Sequence, residues 1–231
     1  MKSNFTNRIS VDSQKFLYWL VVTLKKQHLE PINHIVEYLI IAEPNSDTGN
    51  FTVRTKQIFE SAYGCLYSYA SSPHITIAHF LCLATHEQRL LRRLKVIAAS
   101  TKPPEVAING FGHFEKHTIF LNVTSARALI DLGRRVEKTC RNSTIRNIKS
   151  LSPSFTTSAP HLTIARGMTT DQFNNAWTDW SGKSYKSSFQ IKELVLLRRI
   201  FPLDNATPYA IECKLSLTGW SDSPVQAKLP F

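Results

Sequence analysis

The chain has 231 residues, 42% of them hydrophobic, and this composition excludes a disordered or fibrous protein. Its 28 Lys and Arg residues against 17 Asp and Glu give a formal charge of +11. Such an excess favours polyanionic partners such as RNA or phosphorylated nucleotides, although a general solubility role explains the charge equally well. The N-terminal apolar run Phe16–Leu24 is too short to span a bilayer, so we expect no membrane association.

The four cysteines are scattered, without C-x-x-C pairing or zinc-ligand spacing. This pattern fits a reducing cytoplasm better than a disulfide framework. We expect a monomer with no cofactor. Its domain organisation is predicted as an N-terminal extension over residues 1–34, a single bilobal domain over residues 35–220 and a C-terminal tail over residues 221–231.

Hydrophobic alternation and turn signals predict regular elements from residue 35 onward. In chain order they are a strand Ile35–Ala42, a helix Phe51–Ala70, a strand His74–Leu83, a basic amphipathic helix Glu87–Ala99 and two strands, Val106–Phe114 and His117–Val123. The first helix has its apolar residues near helical spacing at Val53, Ile58, Ala62, Cys65 and Leu66. Proline-containing segments at Ser72-Pro73 and Lys102-Pro103-Pro104 end the two helices.

The second half repeats this order. The predicted elements are a helix Ala126–Cys140, a polar loop Ser150–Pro160, a strand His161–Arg166, a helix Asp171–Trp180 and two strands, Phe189–Arg199 and Tyr209–Thr218. Thr169 or Thr170 is expected to cap the fourth helix. A repeated order of strand, helix, strand and strand predicts a duplicated α+β domain.

One short segment occurs in near-identical copies in the two halves. Ser-Ser-Pro-His-Ile-Thr-Ile-Ala at 71–78 aligns with Ser-Ala-Pro-His-Leu-Thr-Ile-Ala at 158–165. Residues i and i+2 of a strand share a face, so His74 and Thr76 are expected on one face and aliphatic side chains on the other. The same holds for His161 and Thr163. A repeat that was merely structural would more readily retain the aliphatic residues than the polar ones.

Two imidazoles and two hydroxyls around one small anion suit phosphoryl chemistry. One neutral imidazole takes a proton from the attacking group, and the opposite imidazolium protonates the leaving oxygen. The threonine hydroxyls donate hydrogen bonds to the non-bridging oxygens. No carboxylate cluster is evident that would hold a metal ion, so we expect metal-independent catalysis.

The paired Pro-His-x-Thr motifs, with His74 and His161, resemble those of the two-histidine (2H) phosphoesterase superfamily. Its members include 2′-5′ RNA ligase-like proteins and cyclic phosphodiesterases. The resemblance covers about residues 35–218 and extends to two segments outside the motifs, 109–121 and 193–198. It implies a bilobal α+β fold in which two antiparallel sheets line a central cleft, with helices outside. It also implies catalytic roles for the four motif residues.

We therefore expect hydrolysis of a 2′,3′-cyclic phosphate or related 2′-phosphodiester of RNA ends or nucleotides, with possible reversal as 2′-5′ RNA ligation implied by the resemblance. Two alternatives remain open. One is a non-catalytic RNA- or nucleotide-binding protein that retains the cleft, and the other is a 2′-5′ oligonucleotide phosphodiesterase. The sequence does not decide which histidine is the base.

Three further residues are candidates for substrate binding. Phe114 and Tyr209 carry rings that can stack on a base, although core packing explains them as well. Arg166 follows the second motif closely, but strict alternation directs it away from the cleft. Alternation likewise directs His74 and His79 to opposite faces.

Basic residues cluster over 89–95 and 134–146, where they form either a rim for a nucleic-acid backbone or solvated helix faces.

Overall fold

The computed structural model describes residues 34–65, 71–140, 155–201 and 208–220. The predicted N-terminal extension lies outside these ranges except for its last residue. The predicted C-terminal tail and residues 66–70, where the first helix was expected to end, also lie outside them. The domain boundaries therefore remain predictions.

Nine strands and four helices alternate along the described chain. The strands are β1 Ile35–Ala42, β2 Ile75–Leu83, β3 Glu105–Phe114, β4 Thr118–Val123, β5 Phe155–Thr156, β6 His161–Arg166, β7 Lys186–Gln190, β8 Glu193–Ile200 and β9 Ala210–Ser216. The helices are α1 Ser46–Tyr63, α2 Glu87–Ala99, α3 Arg127–Cys140 and α4 Thr170–Trp180. The predicted α+β class is confirmed.

The strands form one continuous antiparallel sheet in the order β7-β3-β4-β6-β2-β1-β8-β9, with β5 added beside β2. This differs from the expectation of two sheets. The two halves meet between β2 and β6, where a single residue pair, Ile75 with Leu162, joins them. The lobes predicted from the repeat are therefore two halves of one sheet, connected at the two motif strands.

All four helices cover one face of the sheet. Helices α1 and α4 lie against the half that contains β6 and β4, and α2 and α3 lie against the half that contains β2 and β9. The core is this covered layer, where alternate residues of β1, Val36, Tyr38 and Ile40, have no exposed surface. Within the described ranges, no helix is long and apolar enough to cross a membrane.

The first helix begins and ends earlier than its predicted span. Asn45 caps its N-terminus by accepting a hydrogen bond from the Thr48 backbone amide, and Gly64 ends it in the left-handed conformation with φ of 69°. Its buried face consists of Thr48, Thr52, Thr55, Lys56 and Phe59, whereas Ile58 is 45% exposed. The apolar spacing therefore indicated the wrong face.

The predicted strand Phe189–Arg199 is two strands. Phe189 belongs to β7, which pairs with β3, whereas β8 begins at Glu193 and pairs with β1 and β9. The chain passes from one end of the sheet to the other half within two residues. Hydrophobic alternation continues through this crossing, so the sequence pattern contained no break to reveal it.

The predicted Thr169 cap of α4 is present as a capping box with Gln172.

Candidate active site

The two motif strands present their polar residues on the face of the sheet opposite the helices. The motif histidines and threonines are half-buried, and the aliphatic residues between them are fully buried: Ile75, Ile77, Leu162 and Ile164 have no exposed surface. The alternation predicted from the sequence is therefore present in both copies. The uncovered face beside the histidines is called the cleft face below.

The junction between β2 and β6 brings the two motifs together. Ile75 and Leu162 are antiparallel partners. One residue to either side of this pair, the same register sets His74 opposite Thr163 and His161 opposite Thr76. Each motif histidine thus lies opposite the threonine of the other motif in the strand register. This crossed arrangement places two proton-transfer groups and two hydrogen-bond donors around one point.

Both histidines have the same ring orientation, set by their own turns. Nδ1 of His74 lies 2.8 Å from the Ser72 carbonyl oxygen, and Nδ1 of His161 lies 2.8 Å from the Ala159 carbonyl oxygen. A carbonyl oxygen only accepts, so each Nδ1 carries a proton and donates it. Nε2 is left for substrate, as an acceptor on a neutral ring and as a donor on a protonated one. Either histidine is therefore prepared to act as base or acid.

Burial lowers the pKa of both histidines below the ordinary imidazole value, because it disfavours the charged ring. The hydrogen bonds to Ser72 and Ala159 oppose this shift in each case. For His74 the charges of Lys56 and Arg166, and that of His161 when its ring is protonated, lower the pKa further. The two halves are thus electrostatically unequal, because neighbouring cations add to the effect of burial at His74 and are not among the causes at His161.

A β-bulge brings Arg166 onto the cleft face. Thr163 pairs with Phe120 and Ala165 with Ile119, which leaves Ile164 as an extra residue in β6. The bulge shifts the alternation by one, so Arg166 lies on the same face as Thr163. The expectation that alternation directs Arg166 away from the cleft was therefore wrong. Its charge acts on both His74 and Lys56, and its side chain is exposed to solvent.

Lys56 was not predicted as a site residue. It lies on the buried face of α1, is 3% exposed, and donates a hydrogen bond of 2.7 Å from Nζ to the Ser71 carbonyl oxygen. Burial, with a contribution from Arg166, lowers its pKa to about 8. Ser71 precedes the residue that accepts from His74, so Lys56 fixes the turn that orients this imidazole. The signal in the sequence was a lysine spaced among threonines on one face of the helix. A pattern based on apolar residues does not detect such a face as buried.

Phe114 lies against the second histidine. Its ring centroid is 4.8 Å from that of His161 in an edge-to-face contact, and it also packs on Phe120 at 4.4 Å. Phe120 itself lies 5.0 Å from the His161 ring. These rings desolvate one side of the imidazole. Asn122, another residue that the sequence did not single out, is exposed and pairs with His161 in the β4–β6 ladder.

Tyr209 belongs to a different cluster, farther along the cleft face of β1 and β8. The Arg199 guanidinium lies 4.4 Å from the Tyr209 ring centroid, and Arg199 Nε donates to Glu37 Oε2 at 2.6 Å. His79 Nε2 lies 2.5 Å from the other carboxylate oxygen of Glu37. Burial alone would raise the pKa of Glu37, but hydrogen bonds from His79, Arg199 and Tyr209 lower it to about 2. Tyr209 therefore packs in a structural network, with one ring face already occupied.

His79 shares its face with the first motif. Its partner in β1 is Leu39, whereas Thr76 pairs with Ile41, and Leu39 and Ile41 lie on the same side of that strand. The cause is a bulge at Ile77, so the expectation that His74 and His79 face opposite sides was wrong. Among the described residues, no group of three or more His, Cys, Asp or Glu side chains has an arrangement that holds a metal ion.

Comparison with protein families identifies a match that covers most of the chain. The family model of the 2′-5′ RNA ligase superfamily matches residues 51–200, and both motifs lie within this range. The match confirms the family resemblance predicted from the paired histidine motifs. No curated protein matches the chain.

Solved structures share the fold at low sequence identity. Escherichia coli LigT complexed with 3′-AMP has a TM-score of 0.50 at 13% identity, over 80% of this chain and 99% of its own. The same protein complexed with NADP+ has a TM-score of 0.51 at 15% identity, over 80% and 98%. TT0787 of Thermus thermophilus has a TM-score of 0.52 at 14% identity, over 79% and 98%.

Proposed function

Since the chain belongs to the 2′-5′ RNA ligase superfamily of 2H phosphoesterases, we propose that it hydrolyses 2′,3′-cyclic phosphates or related 2′-phosphodiesters of RNA ends or nucleotides. The observation that carries this proposal is the crossed pair of motifs, in which each motif histidine lies opposite the threonine of the other motif in the strand register. In both rings Nδ1 is held by a backbone carbonyl oxygen, which leaves Nε2 for substrate. The known complexes of E. coli LigT with 3′-AMP and NADP+ support a nucleotide as ligand.

We infer the roles of the two histidines from their unequal surroundings. Lys56 and Arg166 favour the neutral form of His74, so His74 Nε2 accepts the proton of the attacking water. His161 has no such cationic neighbours among the causes that shift its pKa, and its protonated Nε2 donates to the departing ribose oxygen. The bond from water oxygen to phosphorus forms as one phosphorus–ribose oxygen bond breaks. Exchange with solvent then restores both protonation states.

The remaining polar residues stabilise the developing charge. The Thr76 and Thr163 hydroxyls donate to non-bridging oxygens, and the Arg166 guanidinium supplies a fixed cation beside them. Phe114 offers an edge of the cleft on which a base can pack, next to His161. In this proposal the imidazoles transfer the protons, and the hydroxyls and the guanidinium stabilise the charge that develops on the phosphate oxygens. Catalysis without a metal ion is thus part of the proposal.

Attack of a ribose 5′-hydroxyl on the cyclic phosphate in place of water would be 2′-5′ ligation, in which the new bond to phosphorus forms as the bond to the 3′-oxygen breaks, and the same residues serve it. A 2′-5′ oligonucleotide phosphodiesterase would use the same chemistry on a different substrate. We expect the protein to act as a monomer in a reducing cytoplasm. The cysteines of the described ranges are consistent with such an environment, because they are free thiols: Cys65, Cys82 and Cys213.

The proposal is tested by incubating the protein with nucleoside 2′,3′-cyclic phosphates in the presence of EDTA. Turnover is expected, and the position of the phosphate on the product identifies the ester bond that opens. Loss of activity in EDTA that one divalent ion restores would contradict metal-independent catalysis. No turnover by a protein that still binds nucleotides would favour a larger 2′-phosphodiester or the non-catalytic alternative.

A further inference from the structure

A second cationic surface lies between helices α2 and α3, on the helix-covered side of the sheet. It is a groove of about 420 Å³ whose cationic lining residues are Arg92, Arg93, Arg135 and Lys138. The side of the sheet is fixed by Tyr38, which lies on the core face of β1 and donates to the carboxylate of Glu87 in α2. The groove is therefore on the opposite surface of the molecule from His74 and His161.

The fold assembles this groove from two basic clusters that are distant in sequence. The cluster over 89–95 lies on α2 and the cluster over 134–138 lies on α3, and the two helices pack against each other. Each helix contributes two cations to the lining. The two clusters predicted from the sequence therefore share one concave surface.

The charge of the groove is not neutralised within the described part of the chain. The described ion pairs occupy other residues: Asp131 pairs with Arg127 and Arg134, and Glu87 with Arg198. None of those found in the described ranges includes any of the four lining cations. No carboxylate lines the groove either. Such a surface attracts an anion with several charges.

Two of the guanidinium groups are already held in place. Arg135 donates to the hydroxyls of Thr101 and Ser100 at 2.8 Å each, and Arg93 donates to the Thr139 carbonyl oxygen at 3.0 Å. These acceptors are neutral, so they orient the side chains without cancelling their charge. A guanidinium has five N–H donors, so each retains donors for a phosphate. Holding the cations beforehand reduces the entropy lost on binding.

An apolar surface lies among the cations. Val96 is 64% exposed although it lines the groove, and Ile97 lies next to it. A small inorganic anion gains nothing from such a surface. A polynucleotide does, because it alternates phosphates with apolar ribose and base faces.

We propose that this groove binds the phosphate backbone of an RNA strand, at a site separate from the cleft. The inference does not require the cleft to be catalytic. A further consequence rests on the proposed function: if the cleft hydrolyses 2′-phosphodiesters, the groove makes a long RNA a better substrate than a mononucleotide. An acidic protein is the competing partner that the experiment must exclude.

The test compares two double variants in binding a fluorescent oligouridylate with a 3′-hydroxyl end. Arg92→Gln with Lys138→Gln removes two exposed groove charges whose side chains make no hydrogen bond within the described structure. Lys186→Gln with Lys192→Gln removes two exposed charges that do not line the groove and serves as the matched control. Thermal unfolding of both variants checks that the fold is retained.

The groove variant is expected to bind the RNA about tenfold more weakly. The magnitude of the slope of log affinity against log salt is expected to fall by about 1.4, because each of the two lost phosphate contacts on a single strand contributes about 0.7. The control should retain wild-type affinity and slope. Equal losses in both variants, or none in the groove variant, would overturn the proposal. So would displacement of the RNA by polyglutamate as effectively as by unlabelled oligouridylate at equal charge.

Turnover of a nucleoside cyclic phosphate by the same variants separates this proposal from that of catalysis. The groove variant should retain wild-type kcat and KM on this small substrate, because the groove does not contact it. A wild-type protein that binds the RNA through the groove but turns over no cyclic phosphate would contradict the hydrolysis of 2′,3′-cyclic phosphates and leave the groove assignment intact.

Discussion

Arg166 and His79 occupy equivalent positions in the two halves of the sheet. Each lies five residues after its motif histidine, and a bulge at the same place in each strand, at Ile164 and at Ile77, turns both onto the cleft face. Their surroundings differ, however. His79 is bonded to the buried carboxylate of Glu37, whereas Arg166 is exposed and acts on His74. The repeat thus supplies symmetric acid–base groups, and this pair makes their electrostatics unequal.

The pH dependence of catalysis follows from the lowered pKa values of both imidazoles. A neutral base and a protonated acid coexist only between the two macroscopic pKa values of the pair. Because both shifts are downward, the bell-shaped profile of kcat/KM should be centred on the acid side of about pH 6.5, the ordinary imidazole value. Measurement from about pH 4 to pH 9 on a cyclic phosphate checks this. A profile that is flat, or centred above about pH 7.5, would contradict the two assignments.

Replacing Arg166 by glutamine should alter both rate and pH profile. The loss of a cation at the developing charge should lower kcat/KM by about 10- to 100-fold. Because Arg166 lowers the pKa of His74, its removal should also move the acidic limb of the profile to higher pH. Arg166→Lys keeps the charge and is the matched control, in which the limb should stay in place. An unchanged limb in Arg166→Gln would show that the arginine does not act on the base.

Lys56 should make stability depend on pH in the alkaline range. Its pKa is about 8 when folded and about 10.5 when exposed, so the unfolded chain binds more protons between these values. The free energy of unfolding should therefore rise with pH across this window, by on the order of 3 kcal/mol. Lys56→Met should lack this contribution, as the difference between the two proteins in urea unfolding would show. Lys192→Met, at an exposed position, should behave like the wild type.

Lys56→Met also tests the positioning of His74. Without the hydrogen bond to Ser71, the turn that holds the imidazole loses a fixed point. We expect kcat to fall while KM changes little, because Lys56 orients the base without contacting substrate. A pure rise in KM would place Lys56 among the groups that bind substrate instead.

The sequence determined those parts of the site that depend on strand periodicity alone. His74 with Thr76 and His161 with Thr163 share a face because of the two-residue period, and the structure has this arrangement. The positions of Arg166 and His79 depend on bulges. Each bulge lies within an apolar pair, Ile77-Ala78 and Ile164-Ala165, where both residues are buried and the pattern shows no break.

Long-range contacts explain the other differences. The single sheet depends on the pairing of Ile75 with Leu162, residues far apart in the chain, which no local pattern specifies. Helix α1 buries threonines and Lys56. The threonine hydroxyls donate to carbonyl oxygens one turn earlier, and the Lys56 ammonium donates to Ser71. A periodicity analysis that counts only apolar residues assigns such a face to solvent.

The central claim is that His74 and His161 act together as base and acid. The most direct measurement is the turnover of a nucleoside 2′,3′-cyclic phosphate in EDTA by wild type, His74→Ala, His161→Ala and the double variant, with His86→Ala as the control. Each single variant should lose at least about 100-fold in kcat/KM, and the double variant little more, because the pair acts as a unit. His86→Ala should retain full activity, and all variants should unfold cooperatively as the wild type does. Near-wild-type turnover by either His74→Ala or His161→Ala would contradict the account.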